Sequence, residues 1–332
     1  MNASVSEVGL ADCYAARRRI AGRAVRTPLT RSAALSARFN AEILLKWETC
    51  QPTGAFKLRG ATNMIAALLE KRGRDALSAG VVTASTGNHG RAVAHAAATL
   101  GIPAVVCLSR LVPEHKAAAI AALGAEVVRV GDSQDAAFEE VTRRVEERGM
   151  TLIPPFDDPL VVAGQGTIGL ELMEDVPDLD RVIVGLSGGG LLGGIGAAVK
   201  AIRPATRITG VSLSRGAAMA ESLAAGHPVA VEEVESLGDS LGGGIGLDNR
   251  CTFALVRRVM DDHYAVSEPA IAAAMVDLLE HEKQLVEGAA AVGLAALVEH
   301  GLEVRGQKIA LILSGNAVSL ETLDRARAMA GR

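Results

Sequence analysis

Short runs rich in valine, isoleucine and leucine alternate along this chain with alanine-rich stretches of helical length. The apolar runs at residues 43–47, 81–84, 103–107, 126–130, 181–186, 207–211 and 308–313 read as strands. Residues 92–100, 115–123 and 136–148 read as helices between some of them. Strand–helix alternation of this kind predicts βαβ units and an α/β fold with mostly parallel sheets.

Residues 80–130 form a self-contained unit of strand, helix, strand, helix and strand, followed by a long charged helix. Arg148-Gly149-Met150 closes that helix and Pro154-Pro155 follows, which places a lobe boundary there. A chain of 332 residues can bury a substantial core, as two lobes or one large α/β domain. Hydrophobic residues make up 49% of it and aromatics 2%, so Ala, Val, Leu, Ile and Gly must fill the interior.

The formal charge of −4 is spread over interleaved acids and bases. With no basic stripe and no aromatic platform, nucleic acid is not an expected partner. No apolar run is long enough to span a bilayer, and residues 1–12 lack a signal-peptide pattern, so neither membrane attachment nor export is expected. Cys13, Cys50, Cys107 and Cys251 are scattered without metal-ligand spacing, as reduced thiols of a cytoplasmic protein would be.

Four segments carry candidate chemistry. Gln51-Pro52-Thr53-Gly54 is a turn that leads through Ala55 and Phe56 into a helix beginning near Lys57. A lysine among the unpaired N–H groups of a helix start has its ammonium disfavoured, and only a neutral amine attacks an aldehyde. Ser85-Thr86-Gly87-Asn88-His89 follows the strand at 81–84, where hydroxyls and amides suit a carboxylate; ordinary capping by Ser85 or Thr86 is the plainer alternative. Ser187-Gly188-Gly189-Gly190-Leu191 follows the strand at 181–186, and successive glycines let backbone N–H groups close on a phosphate. It matches neither the dinucleotide fingerprint nor a P-loop. Ser314 ends the strand at 308–313, the edge where ligands bind in open α/β sheets. The glycine-rich stretches 240–246 and 163–167 read as loops lining the same cleft, or as plain turns.

Taken in this order, these residues resemble the fold type II (tryptophan synthase β-like) enzymes that use pyridoxal phosphate (PLP), in the serine/threonine dehydratase and serine racemase branch. The resemblance runs from Thr27-Pro28-Leu29 to Ser314. It implies two open, twisted, mostly parallel sheets flanked by helices, with the active site in the cleft between lobes. Residues 1–77 and 155–332 would form the large PLP-binding domain and 78–154 the small one. It further implies that Lys57 carries the cofactor as a Schiff base and acts as catalytic base, with Phe56 against the cofactor ring. Asn88 would bond the ring hydroxyl, Ser314 would face the ring nitrogen, and Glu287 matches the acidic position near the cofactor. Ser187, Gly188, Gly189, Gly190 and Leu191 would hold the phosphate. Ser85, Thr86, Gly87 and His89 would receive the substrate carboxylate, with Thr86 a second catalytic group.

The implied reaction is dehydration and deamination of a β-hydroxy amino acid to a 2-oxo acid and ammonia, by a homodimer. The chain departs from common family patterns at Ala55, Thr86, Asp239-Ser240 and Ser314-Gly315-Asn316. Residues 211–218 contain no carboxylate, so the family's metal site is expected to be missing. The whole pattern is most similar to the group associated with hydroxyectoine utilisation. Hydroxyectoine has no free primary α-amine, so a ring-opened hydroxy diamino acid is the implied substrate, beside threonine and serine. An amino-acid racemase and a 3-hydroxyaspartate dehydratase are the near alternatives. A non-catalytic binding protein for a phosphorylated ligand is the alternative from another class.

Overall fold

The computed structural model describes residues 8–85 and 87–332. Its larger sheet runs in the order β1 (Leu29–Arg31), β2 (Glu42–Trp47), β10 (Lys308–Leu313), β7 (Arg181–Gly185), β8 (Arg207–Leu213) and β9 (Asp262–Val266). Only β1 runs antiparallel to its neighbour; the other pairings are parallel. The smaller sheet, wholly parallel, has the order β5 (Glu126–Arg129), β4 (Ala104–Leu108), β3 (Val81–Ala84) and β6 (Thr151–Leu152).

Successive side chains of a strand point to opposite faces, and helices cover both faces of these sheets. Ala310 and Ile312 of β10, Val182 and Val184 of β7 and Leu44 of β2 therefore enter one core. Ile309, Leu311, Ile183, Ile43 and Leu45, the alternate residues, enter the opposite one. The smaller sheet divides likewise, with Val81, Ala104 and Val106 on one side and Val82, Val105 and Cys107 on the other. Burial on both faces is why these strands read as unbroken apolar runs. β1, β6 and β9 escape that reading: the first two are of three and two residues, and β9, Asp-His-Tyr-Ala-Val, is a partly exposed edge strand.

Small residues bring the helices close. The helix Lys57–Arg72 crosses Pro159–Asp175 where Gly60 meets Gly164, and a Cβ on Gly164 would lie 2.6 Å from the Gly60 Cα. Residues 163–167 are thus the interior of a helix rather than a loop or turn. Their glycines serve backbone-to-backbone packing, which replaces the aromatic filling the chain lacks. Among the described residues, no helix is long and apolar enough to cross a membrane.

Candidate active site

The segment before Lys57 is stitched to the C-terminal end of β10. Phe56 N donates to Ser314 O at 3.0 Å, Asn316 N donates to Gly54 O at 3.0 Å, and Ala55 pairs with Gly315 as an isolated bridge. Lys57 is the first residue of its helix. Its Nζ donates to Pro155 O at 2.7 Å and lies 5.2 Å from the Phe56 ring centroid. Burial pushes the Lys57 ammonium down to about 8, against the opposing pull of Glu287. The expected lowering is present, but removal from water causes it rather than the helix terminus alone.

Behind Lys57 the helix is anchored by charge. Arg59 donates through Nε and Nη2 to Glu48 at 2.8 Å each, and to Glu171 at 2.6 and 2.9 Å. Lys46 Nζ adds 2.6 Å bonds to Glu171 and to Thr27 O. Thr27 Oγ1 completes Glu48 at 2.6 Å. Two cations and two carboxylates thus cancel in an interior where an unpaired charge is prohibitive.

The second wall begins at the end of β3. The helix Asn88–Leu100 starts from Gly87 with no side-chain cap; Ser85 Oγ takes only a 3.4 Å turn bond from Gly87 N. Capping by Ser85 is therefore not what the structure shows. Thr86, the other capping candidate and an expected catalytic residue, lies outside the described residues. Asn88 Nδ2 donates to both oxygens of Glu287, at 3.0 and 2.9 Å, while Asn88 Oδ1 is buried with no partner among the described residues. Ala317 N gives Glu287 a further bond of 3.1 Å, and burial raises the Glu287 carboxyl above its ordinary range. His89 Nε2 donates to Ile153 O at 2.8 Å, and burial with Lys57 nearby pushes its pKa down to about 3, leaving the ring neutral.

The third wall is the turn after β7. Gly189 has φ +82°, a left-handed conformation that favours glycine, and starts the helix Gly190–Ile202 without a side-chain cap. Phe156 packs so tightly on Gly188 that a Cβ there would lie 2.3 Å from its ring. The segment carrying Phe156 is fixed by Asp157, which accepts from the amides of Arg250, Cys251 and Thr252 at 2.7, 2.9 and 2.9 Å, and by Asp158, which caps Pro159–Asp175.

These walls enclose a cleft of about 570 Å³. Phe56, Lys57, Ser85, Gly87, Asn88, His89, Ser187, Gly188, Gly189, Gly190, Leu191, Glu287 and Ser314 all line it. So does the stretch 239–244. Five helices open on it: those at Lys57, Asn88, Gly190 and Gly288 have no side-chain cap, and the one at Gln134 is capped by Ser133. Helices opening at Ala33, Glu268 and Leu320 are also capped by serine. Uncapped N–H groups in a cleft are anion receptors in waiting.

Known proteins similar to this chain point the same way. The family described as pyridoxal-phosphate dependent enzyme matches residues 20–315. A Sinorhizobium fredii protein named "Putative threonine dehydratase" is 50% identical over 317 residues, covering 95% of this chain and 94% of that one. The L-threonine ammonia-lyase of Thermotoga maritima is 41% identical, over 96% of this chain and 78% of its own. The solved structure of maize serine racemase superposes with a TM-score of 0.89 at 36% identity, over 97% of both chains. The chain belongs to the pyridoxal-phosphate dependent enzymes. It has their type II fold, and it is a PLP-dependent lyase.

The residues present fit PLP. Its phosphate needs N–H donors at an open helix start, and its ring hydroxyl needs an acceptor such as the orphaned Asn88 Oδ1. Its aldehyde needs an amine that loses its proton near neutrality, and half-buried Lys57 is shifted that way, down to about 8.

Sequence reasoning passed over Pro155, Phe156, Gln134, Asp135, Phe138 and Glu233, which also line the cleft. For Pro155 and Phe156 a signal was present: Asp157-Asp158-Pro159 marks a helix start that pins the preceding residues. Elsewhere, Asp277, Glu280 and His281 place three ligand-type atoms together. Arg332 already bridges Asp277 and Glu280, at 3.0 and 2.6 Å, and Arg38 holds Asp277 at 2.8 Å.

Proposed function

We propose that this lyase dehydrates and deaminates a β-hydroxy amino acid, releasing a 2-oxo acid and ammonia. The observation that carries the reading is a half-buried amine, its pKa pushed down to about 8, in a cleft bordered by uncapped helix starts. Threonine is the substrate named for relatives that align over nearly the whole chain. Serine and a hydroxy diamino acid from ring-opened hydroxyectoine share the same reacting atoms.

In this reading Lys57 holds PLP, the turn from Ser187 to Leu191 holds its phosphate, and Phe56, Asn88, Glu287 and Ser314 surround its ring. PLP, when bound, stabilises negative charge at the substrate Cα. The chain's own groups do the rest. Ser85, Gly87 and His89 receive the substrate carboxylate beside the open start of Asn88–Leu100. His89, neutral and with its Nε2–H given to Ile153 O, serves the carboxylate through its backbone N–H and adds no charge. Lys57, released by the incoming amine and oriented by Pro155, removes the Cα proton as general base. The β-hydroxyl leaves as water, and hydrolysis of the resulting enamine returns one water, so the net products are the 2-oxo acid and ammonia. The smaller sheet, with its strands between residues 81 and 152, supplies the Ser85–His89 wall; we take residues 78–154 as the domain that closes over substrate.

The test is a substrate panel. Holoenzyme with threonine, serine, 3-hydroxyaspartate and 3-hydroxy-2,4-diaminobutyrate is assayed for 2-oxo acid, ammonia and the opposite enantiomer. Stoichiometric 2-oxo acid and ammonia from at least one substrate are expected. Enantiomer without 2-oxo acid would replace this reading with a racemase, as in the maize neighbour.

A further inference from the structure

The glycine turn after β7 is gripped from two sides. Phe156 packs on one: a Cβ on Gly188 would lie 2.3 Å from its ring, and one on Gly190 3.1 Å from its Cβ. The helix Thr252–Val259 packs on the other: a Cβ on Gly189 would lie 2.8 Å from Val256 Cγ2 and 3.2 Å from Thr252 Cβ. Three consecutive glycines have little stiffness of their own, so these contacts set the shape of the turn. Neither grip is secured by its own element. Phe156 lies in irregular chain between the strand Thr151–Leu152 and the helix Pro159–Asp175. The helix Thr252–Val259 takes no side-chain cap from Cys251, the residue at its start.

Asp157 supplies what both lack. It follows Phe156 directly, and it caps that helix from 95 residues away. Its Oδ1 accepts from the Cys251 and Thr252 amides at 2.9 Å each, and its Oδ2 from the Arg250 amide at 2.7 Å. The hydroxyl of Thr252, a fully buried residue, donates a fourth bond at 3.3 Å. Asn249 tightens the same start, accepting from Phe253 N at 2.8 Å and donating to Thr252 Oγ1 at 2.9 Å. Asp157 does not itself line the cleft, so it reaches a ligand there only through Phe156 and the helix. Backbone N–H groups bind an anion well when they are held in place before it arrives.

We propose that Asp157 is a positioning residue for the cofactor phosphate. It ties Phe156 to the helix Thr252–Val259 and so holds the turn 187–191 in its anion-receiving shape. The assignment rests on reading that turn as the phosphate site, and one comparison separates the two claims. Full-length protein freed of cofactor is titrated with PLP and with pyridoxal, which lacks only the phosphate. The ratio of the two affinities reads the turn. Wild type should favour PLP by at least about a hundredfold. D157A should cut that ratio at least about tenfold, with pyridoxal affinity changed by less than about threefold. D157N keeps one acceptor oxygen for the Cys251 and Thr252 amides, and should show the same loss in smaller measure. S319A removes the cap of Leu320–Met329, whose serine does not line the cleft, and should keep the ratio whatever it does to stability. An unchanged ratio in folded D157A or D157N, or an equal loss in S319A, would overturn the assignment. A wild type that does not distinguish PLP from pyridoxal would instead sink the phosphate reading of the turn, and the assignment with it.

Discussion

Two buried clusters of charge sit on either side of the start of one helix, and they are built in opposite ways. Behind it, Arg59, Glu48, Glu171 and Lys46 are each met by an opposite charge within 2.8 Å. In front, Lys57 donates to a carbonyl rather than a carboxylate, Glu287 receives an amide where an ammonium would pair better, and Asn88 Oδ1 receives nothing. The rear cluster is closed and holds geometry. The front cluster is left short of partners, so removal from water lowers Lys57 and raises Glu287 without full compensation. Burial alone does not distinguish a structural charge from a chemical one; completeness of pairing does.

Substitutions can break this contrast. R59M should be the most damaging to the fold, because it strands buried Glu48 and leaves Glu171 with Lys46 alone. A loss of about 3–5 kcal/mol is expected, read from chemical unfolding of the apo protein. An R59M protein as stable as wild type would mean that the rear cluster does not hold the helix.

Next in size is the acid limb of stability. His89 has a folded pKa of about 3 against 6.5 when free, so between those values the unfolded chain binds the extra proton. The stability gained from neutral His89 is complete above pH 6.5 and drains away as pH falls toward 3. H89Q should therefore lose stability less steeply with acid than wild type, by up to one proton in the slope. Parallel slopes would contradict the burial of a neutral ring.

The smallest effect is expected for N88A. Losing its acceptor should weaken PLP binding by about tenfold, the worth of one good hydrogen bond. Spectrophotometric titration of apo protein measures it, and unchanged affinity would remove Asn88 from the cofactor's partners.

How much of this was legible in the sequence follows from distance along the chain. The central strands were legible because burial on both faces leaves an unbroken apolar run, as in Lys308–Leu313. The glycine turn at 188–190 was legible because its conformation excludes most side chains. Pairings across long separations were not: Lys46 and Glu171 lie 125 residues apart, and nothing local to either announces the other. Pro155 looked like a boundary marker, since a backbone carbonyl that orients a lysine leaves no trace in residue type. Glu233 was hidden differently, in a segment without regular structure where an acid reads as ordinary surface. The stretch 163–167 misled because Gly-Gln-Gly suggests a turn until a facing Gly60 explains it.

The central claim is that Lys57 carries the cofactor. Borohydride reduction of the holoenzyme, followed by peptide mass mapping, tests it directly, with K57A treated in parallel. A single pyridoxyl adduct on Lys57, absent from a folded K57A protein, is the expected result. An adduct on another lysine, or equal labelling of folded K57A, would contradict it.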